Sequence, residues 1–353
     1  MVSVACLIIR RIGMSQKKKS SGESTIEAVQ FEPSGSNSVV TSQSTKTQTS
    51  QVQEKEISVP DLMNAIFNSL DPNATDEQIK IRDDFFKKSL AQVISKFPTV
   101  MNNYNLLILN DDGHMVKSDA DNIYNAVTAF PEKKPILLVL HSTGGEIASA
   151  YLIGKLCREY SDNKFVVVVP RQAKSAATLI CCAADEIHMG SMSELGPIDP
   201  QIDGLPALGL KNSVEHLADL VRTYPPAAEM FAKYLSESLK LIHLGYYERV
   251  AESAKQYAER LLKLHAEKLT AKPENIAYDL VYTYKDHGFV IDKTEATSIL
   301  GDKVIKTGTE EYNFGNATYQ MMNYVRRVAY GRKYYFYFIG SPNSVPNFNK
   351  RSY

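Results

Sequence analysis

Val-Val-Val-Val-Pro-Arg-Gln-Ala-Lys-Ser-Ala-Ala-Thr-Leu-Ile, Val166 to Ile180, is an apolar strand that stops at Pro170, followed by a small-residue helix that starts after Ser175. Such a strand-to-helix turn lifts a serine hydroxyl clear of a sheet and aims the first free amides of the helix at whatever the hydroxyl attacks. The same residues also fit a serine that only caps a helix. The surroundings must separate the two readings.

Upstream, Tyr104 to Asn110 and Pro135 to His141 read as buried strands, Ser118 to Phe130 as a helix capped by Ser118, and Gly145 to Glu159 as the helix after the second strand. Downstream, Glu186 to Met189 is a further short strand. Continuous apolar strands alternating with helices imply a parallel sheet covered on both faces, an α/β fold. Two amphipathic segments, about Leu62 to Leu70 and Glu77 to Phe97, precede this alternation. Pro206 to about Lys268 reads as helices broken at Pro225-Pro226, and Lys272 to Gly308 as a small closing subdomain.

From Ser15 to about Glu56 the chain is rich in Ser, Thr, Gln and Lys and has almost no apolar periodicity. It cannot bury enough surface to offset its ordering entropy, so residues 1–58 are expected to form a disordered tail. Residues 59–308 are expected to form the functional domain, and 309–353 a C-terminal extension. That last stretch interleaves basic and aromatic residues from Tyr324 onward. An accessory strand or partner-docking arm accounts for it better than a nucleic-acid surface.

The 353 residues are 44% hydrophobic and 23% charged with zero formal net charge, which demands neither nucleic acid nor an acidic partner. Cys157, Cys181 and Cys182 lie in apolar helical patterns, and none of the four cysteines shows metal-ligand spacing. They read as reduced thiols of a cytoplasmic protein. The apolar run Val4 to Ile9 is far short of the ~20 residues of a membrane span, and Arg10 and Arg11 follow it rather than precede it. Neither a transmembrane segment nor a secretion signal is expected.

Leu137 to Gly145, Leu-Leu-Val-Leu-His-Ser-Thr-Gly-Gly, puts a glycine pair at the mouth of a helix, where backbone amides can approach a ligand oxygen or simply make a tight turn. A serine is a poor nucleophile until a positioned base takes its proton. None of the seven histidines fits a triad well by sequence; His188 reads as a strand-edge residue and His141 as a buried strand end. Lys211 borders the apolar stripe Ala207, Leu210, Val214, Leu217 and Ala218 of a helix starting after Pro206. Partial burial would lower its pKa toward that of a base, although a snorkelling surface lysine fits the same pattern.

Four motifs carry a resemblance over roughly Tyr104 to Gly308: Leu-Leu-Ile-Leu-Asn-Asp-Asp followed by Ser-Asp-Ala-Asp-Asn-Ile-Tyr; His-Ser-Thr-Gly-Gly-Glu; Ala-Lys-Ser-Ala-Ala-Thr-Leu-Ile followed by Ala-Ala-Asp-Glu-Ile; and Glu-Leu-Gly-Pro-Ile-Asp-Pro-Gln-Ile. The chain resembles the SDH family (serine dehydrogenase proteinase) of Clp-fold serine proteinases, relatives of the Ser-Lys signal-peptide peptidases. The resemblance implies a crotonase-like spiral of ββα units with a helical C-terminal extension. It implies Ser175 as nucleophile, Lys211 as base, and the amides of Gly145 and Ala176 as oxyanion hole. The sequence departs from the family in Lys174, where an uncharged residue is usual, and in Ala176 and Ala177, where glycines are common.

Together these readings describe a serine endopeptidase with a Ser-Lys dyad, acting on peptides or unfolded chains without metal or cofactor, in a homo-oligomer. A crotonase-type acyl-CoA enzyme and a catalytically silent Clp-fold binding scaffold are the alternatives.

Overall fold

The structure, a computed structural model, describes residues 56–202, 205–238 and 241–351. The expected tail, apart from residues 56–58, lies outside the described residues, as does Cys6. Helix α1 (Val59–Ser69) opens the described chain with a capping box: the Ser58 hydroxyl accepts the Asp61 N–H and Asp61 accepts the Ser58 N–H. Helix α2 (Asp76–Ser95) repeats the device with Thr75 and Gln78, and the short α3 (Pro98–Asn103) follows.

The alternation read from the sequence then appears. It runs β1 (Asn105–Asp111), α4 (Lys117–Thr128), β2 (Ile136–His141), α5 (Ile147–Tyr160), β3 (Phe165–Val169), β4 (Gln172–Ala173), α6 (Ala176–Cys181), β5 (Glu186–Met189) and β6 (Glu194–Leu195). The expected Ser118 cap is not used. Helix α4 begins at Lys117, and Asp119 instead turns back to accept the Val116 N–H at 2.7 Å.

After the short hairpin β7 (Gln201–Ile202) and β8 (Leu205–Pro206) come helices α7 (Ala207–Thr223), α8 (Ala228–Ser238) and α9 (Leu241–Leu262). The break between the first two falls at Pro225-Pro226, as proline chemistry requires. The chain closes with α10 (Pro273–Tyr278), β9 (Ile291–Asp292), α11 (Lys293–Leu300), β10 (Ile305–Lys306), α12 (Glu310–Gly331), β11 (Tyr334–Gly340) and β12 (Asn347–Lys350). Among the described residues no helix is long and apolar enough to cross a membrane.

The seven-stranded sheet has the order β10-β5-β3-β2-β1-β11-β12. Its first five strands are parallel, and β11 and β12 extend it antiparallel from β1. A strand buried on both faces must be apolar at every position, and the alternation of its side chains divides them between two cores. Leu107, Leu109, Leu138, Leu140, Val167 and Val169 belong to one, with residues of α4, α5, α6 and α9. Leu106, Ile108, Leu137, Val139, Val166 and Val168 belong to the other, with residues of α1, α2 and α12. On that second side α12 approaches closely: a Cβ on Gly315 would collide with Val168.

The described part of the stretch set apart in the sequence as an extension, residues 309–351, is therefore built into the same body. Helix α12 covers one face of the sheet, and β11 supplies Phe336 and Phe338 to the second core. The Tyr-Tyr-Phe-Tyr-Phe run alternates in burial because it is a strand, the accessory-strand alternative of the sequence reading.

A second, three-stranded sheet has the order β4-β6-β9, and Ser142 bridges to Ala173 of β4. Strand, short second strand and helix thus recur in β3-β4-α6, and in β2 with the Ser142 bridge before α5. This small sheet seats the candidate site.

Candidate active site

Ser175 sits at the junction of the small sheet and α6 with φ 51° and ψ −118°, a conformation that L residues with a side chain rarely adopt. Its side chain makes no capping hydrogen bond. The N-cap reading therefore leaves the geometry unexplained, because a capping serine takes extended backbone and accepts a first-turn N–H. The turn is stapled from behind: Thr178 Oγ1 lies 2.7 Å from the Ala173 carbonyl and 2.8 Å from the Gly196 carbonyl, and accepts the Gly196 N–H.

The glycine pair lies against this turn. Gly144, at φ 105°, is so close that a Cβ there would stand 2.9 Å from the Ser175 Cβ and 3.1 Å from the Ala176 nitrogen. Gly145 forms a bridge with Met115, and a Cβ there would collide with the Met115 backbone. The Gly144 N–H is spent on Ser142 Oγ at 3.0 Å, so of the two glycines Gly145 is the one with an amide left for a ligand. Ala176 is the first residue of α6, where an amide has no intrahelical acceptor.

Behind the pair, Ser142 Oγ donates to Asp111 Oδ2 at 3.0 Å, and Asp111 Oδ1 accepts the Gly113 N–H at 2.7 Å. Burial pushes the Asp111 carboxyl up to about 6 against the pull of these two hydrogen bonds. The glycine loop thus rests on a buried polar chain that its own sequence motif does not reveal.

Ser175, Gly144 and Gly145 line one cavity of about 550 Å³ together with His114, Glu146, Pro200, Gln201 and His287. Ala176 is fully buried beside Ser175. Lys211 lies on α7, but its side chain is outside the described residues. Lys174 turns away from the hydroxyl: its ammonium donates to the carbonyls of Leu195 and Phe289 at 3.3 and 3.0 Å and pairs with Glu194 at 3.2 Å.

His141 takes the buried strand-end role. It stacks edge-on with Tyr319 at 4.9 Å, and burial, reinforced by the charges of Arg326 and Arg171, pushes its pKa down to about 3. It is not part of the Ser175 cavity lining. His188 is fixed to Thr309 and Glu186, a structural role as read, but it lies in β5 between β3 and β10 and not at the sheet edge the sequence suggests, because the two-residue β10 arrives from far along the chain to cover it.

His287 has no counterpart in the sequence reading. It comes from the loop before β9, 112 residues after Ser175 in the chain, and no local motif marks it. Asp199, its neighbour, stood inside a quoted motif without a role.

A parallel sheet flanked by helices, with a strained serine at a strand-to-helix turn, defines the class as a Clp-type α/β fold. Residues 112–220 match the model of a family described as ClpP-like SDH-type serine proteinase. That match includes the glycine pair, Ser175, Asp199 and Lys211, covers less than a third of the chain, and stops before His287.

Two uncharacterised proteins of Methanocaldococcus jannaschii are similar to this chain. MJ0137 is 39% identical over 97 residues, which are 28% of this chain and 34% of that protein. MJ1495 is 37% identical over 92 residues, 26% of this chain and 31% of that protein. The chain thus matches about a third of the length of these curated relatives. No solved structure matches.

Proposed function

We propose that this protein is a serine endopeptidase in which Ser175 attacks the scissile carbonyl and the amides of Gly145 and Ala176 hold the oxyanion. The observation that carries the reading is the Ser175 turn itself: a strained, uncapped serine in a cavity, set against a glycine that leaves no room for a side chain between them. Its match to a serine proteinase family over the same residues supports the reading. Two preorganised donors at such a site are worth about 3 kcal/mol each in the transition state.

For the base, the resemblance favours Lys211 on α7, with an acceptor in the cavity wall as its rival. Substrates in this reading are extended peptides or unfolded chains, handled in the cytoplasm by a homo-oligomer. A second reading has one observation in its favour: Glu146 lines the cavity, and a crotonase-type acyl-CoA enzyme needs a carboxylate there.

A fluorophosphonate probe followed by peptide mapping separates these readings. A serine peptidase carries the label on Ser175, and Ser175→Ala abolishes both labelling and peptide cleavage while melting as the parent does. A folded parent protein with no label on Ser175 would instead favour the acyl-CoA enzyme or a catalytically silent scaffold.

A further inference from the structure

The loop Gly113-His114-Met115 has a cavity on each side. Met115 bridges to Gly145, its N–H donates to the Gly144 carbonyl at 2.9 Å, and its own carbonyl accepts the Glu146 N–H at 2.9 Å. Thr143 Oγ1 donates to the Gly113 carbonyl at 3.1 Å. On its other side the loop meets β11, where Tyr337 packs so tightly on Gly113 that a Cβ there would collide with the ring. His114 is exposed and lines both the Ser175 cavity and a second one of about 610 Å³.

That second cavity is a groove between α4 and the β11–β12 hairpin, within the size range of ligand sites. Tyr337 and Ile339 on β11 are two residues apart, as are Asn347 and Asn349 on β12, so the period of a strand puts each pair on one face of the sheet. Asn122 and Asn125 line the groove from α4, where residues three apart are neighbours on the helix surface, and Asn343 lines it from the turn of the hairpin. The β11–β12 wall comes from outside the residues that the family match covers.

All five asparagines are exposed, and among the described residues none of their side-chain amides has a hydrogen-bond partner. An asparagine amide carries a carbonyl acceptor and an N–H donor side by side, the same pair that a peptide group presents. No lysine, arginine or glutamate is among the described residues that line the groove. Its aspartate, Asp119, is buried and accepts the Val116 N–H at 2.7 Å. Such a wall can bond to backbone amides and small polar side chains without selecting a charge.

We infer that this groove holds the part of an extended peptide substrate that runs past the scissile bond, with the asparagines bonding to its backbone. The inference rests on the peptidase reading and adds the substrate class: neutral, polar chains long enough to pass His114. The occupant bears on the loop that fixes Gly145. Binding energy gained far from the scissile bond can then be realised at the oxyanion amide and show as faster turnover.

The test compares, in the full chain, cleavage of neutral peptides of about 10 residues, roughly 33 Å when extended, with the same peptides truncated close to the scissile bond on one side or the other. The parent should cleave the extended peptide with at least 10-fold higher kcat/KM, and truncation on one side alone should cause the loss. Asn125→Lys with Asn347→Lys puts two ammonium groups into the groove. That variant should prefer an acidic over a basic residue at the distal position on the same side by at least 10-fold, a gain that misfolding does not imitate and that the parent should not show. Where the pair lowers the melting temperature, Asn349→Lys alone, beside the exposed Lys350, should show the same preference at a smaller size. Equal cleavage of extended and truncated peptides by the parent overturns the inference, and so does an unchanged charge preference in a folded lysine variant, while fluorophosphonate labelling of Ser175 leaves the nucleophile assignment standing. A parent that takes no label on Ser175 and cleaves no peptide removes the peptidase reading and this inference with it.

Discussion

Ser175 holds a backbone conformation that costs on the order of 1–3 kcal/mol, and the stapled turn around Thr178 over-determines it. Asp111 is a second residue kept against its preference. Its carboxyl is raised by burial to about 6 from 3.8, so the native state binds that proton more tightly than the unfolded chain does. Its contribution to stability is complete below about pH 4 and is lost as the pH rises through 6, a change on the order of 3 kcal/mol. Asp111→Asn cannot titrate. The difference in melting temperature between parent and Asp111→Asn should therefore shift in favour of the variant as the pH is taken from 4 to 7. Parallel curves would contradict the assignment. At this scale Ser175 and the glycine pair were legible because strand end, turn and helix start are neighbours in the chain. Asp111, Ser142 and His287 were not, because they reach the site through hydrogen bonds and strand pairing between distant segments.

Among the elements, the strands of the sheet were legible as unbroken apolar runs, since both faces are buried. The helix cap at Ser118 was misplaced because Asp119, next to it, makes the better reciprocal bond. Helices α7 and α8 present a different pattern. Leu220 at the end of α7, Tyr224 just beyond it, and Met230 and Tyr234 on α8 are exposed, three of them by more than 60%. A row of large apolar side chains is costly to leave in water at about 25 cal/mol per Å². It suits a subunit interface in the homo-oligomer proposed above. Light scattering coupled to gel filtration at micromolar concentration should find an oligomer, and Met230→Lys with Tyr234→Lys should dissociate it. A parent that elutes as a 39.4 kDa monomer and still cleaves peptides would remove the interface from the mechanism.

At the scale of the molecule, the sheet has two cores, and the second depends on elements far from the site. Residues of α1, α2, α12 and β11 cover the face that Leu106, Ile108, Leu137, Val139, Val166 and Val168 present. A chain ended at residue 308 would expose that face and leave β1 as an open edge. It should therefore fail to give a cooperative melt, whereas a chain begun at residue 56 should melt as the full chain does. A stable, active 1–308 chain would show that the second core is dispensable. The sequence offers an accessory strand here but not its place in the main sheet, because Tyr and Lys on the half-exposed side mask the alternation that faces the second core.

The tether between Lys174 and the His287 loop gives the molecule two layers of stability. Strands β4, β6 and β9 are two residues each, so the small sheet can open at the expense of a few hydrogen bonds while the seven-stranded sheet stays closed. In that opened state β6 and β9 would part from the Ser175 turn, which would lose its ties to Gly196 and the His287 side of the cavity. The proposed peptidase site would then be latent in a folded molecule, and amides around Leu195 and Ile291 would exchange with solvent long before those of Val167 or Leu138.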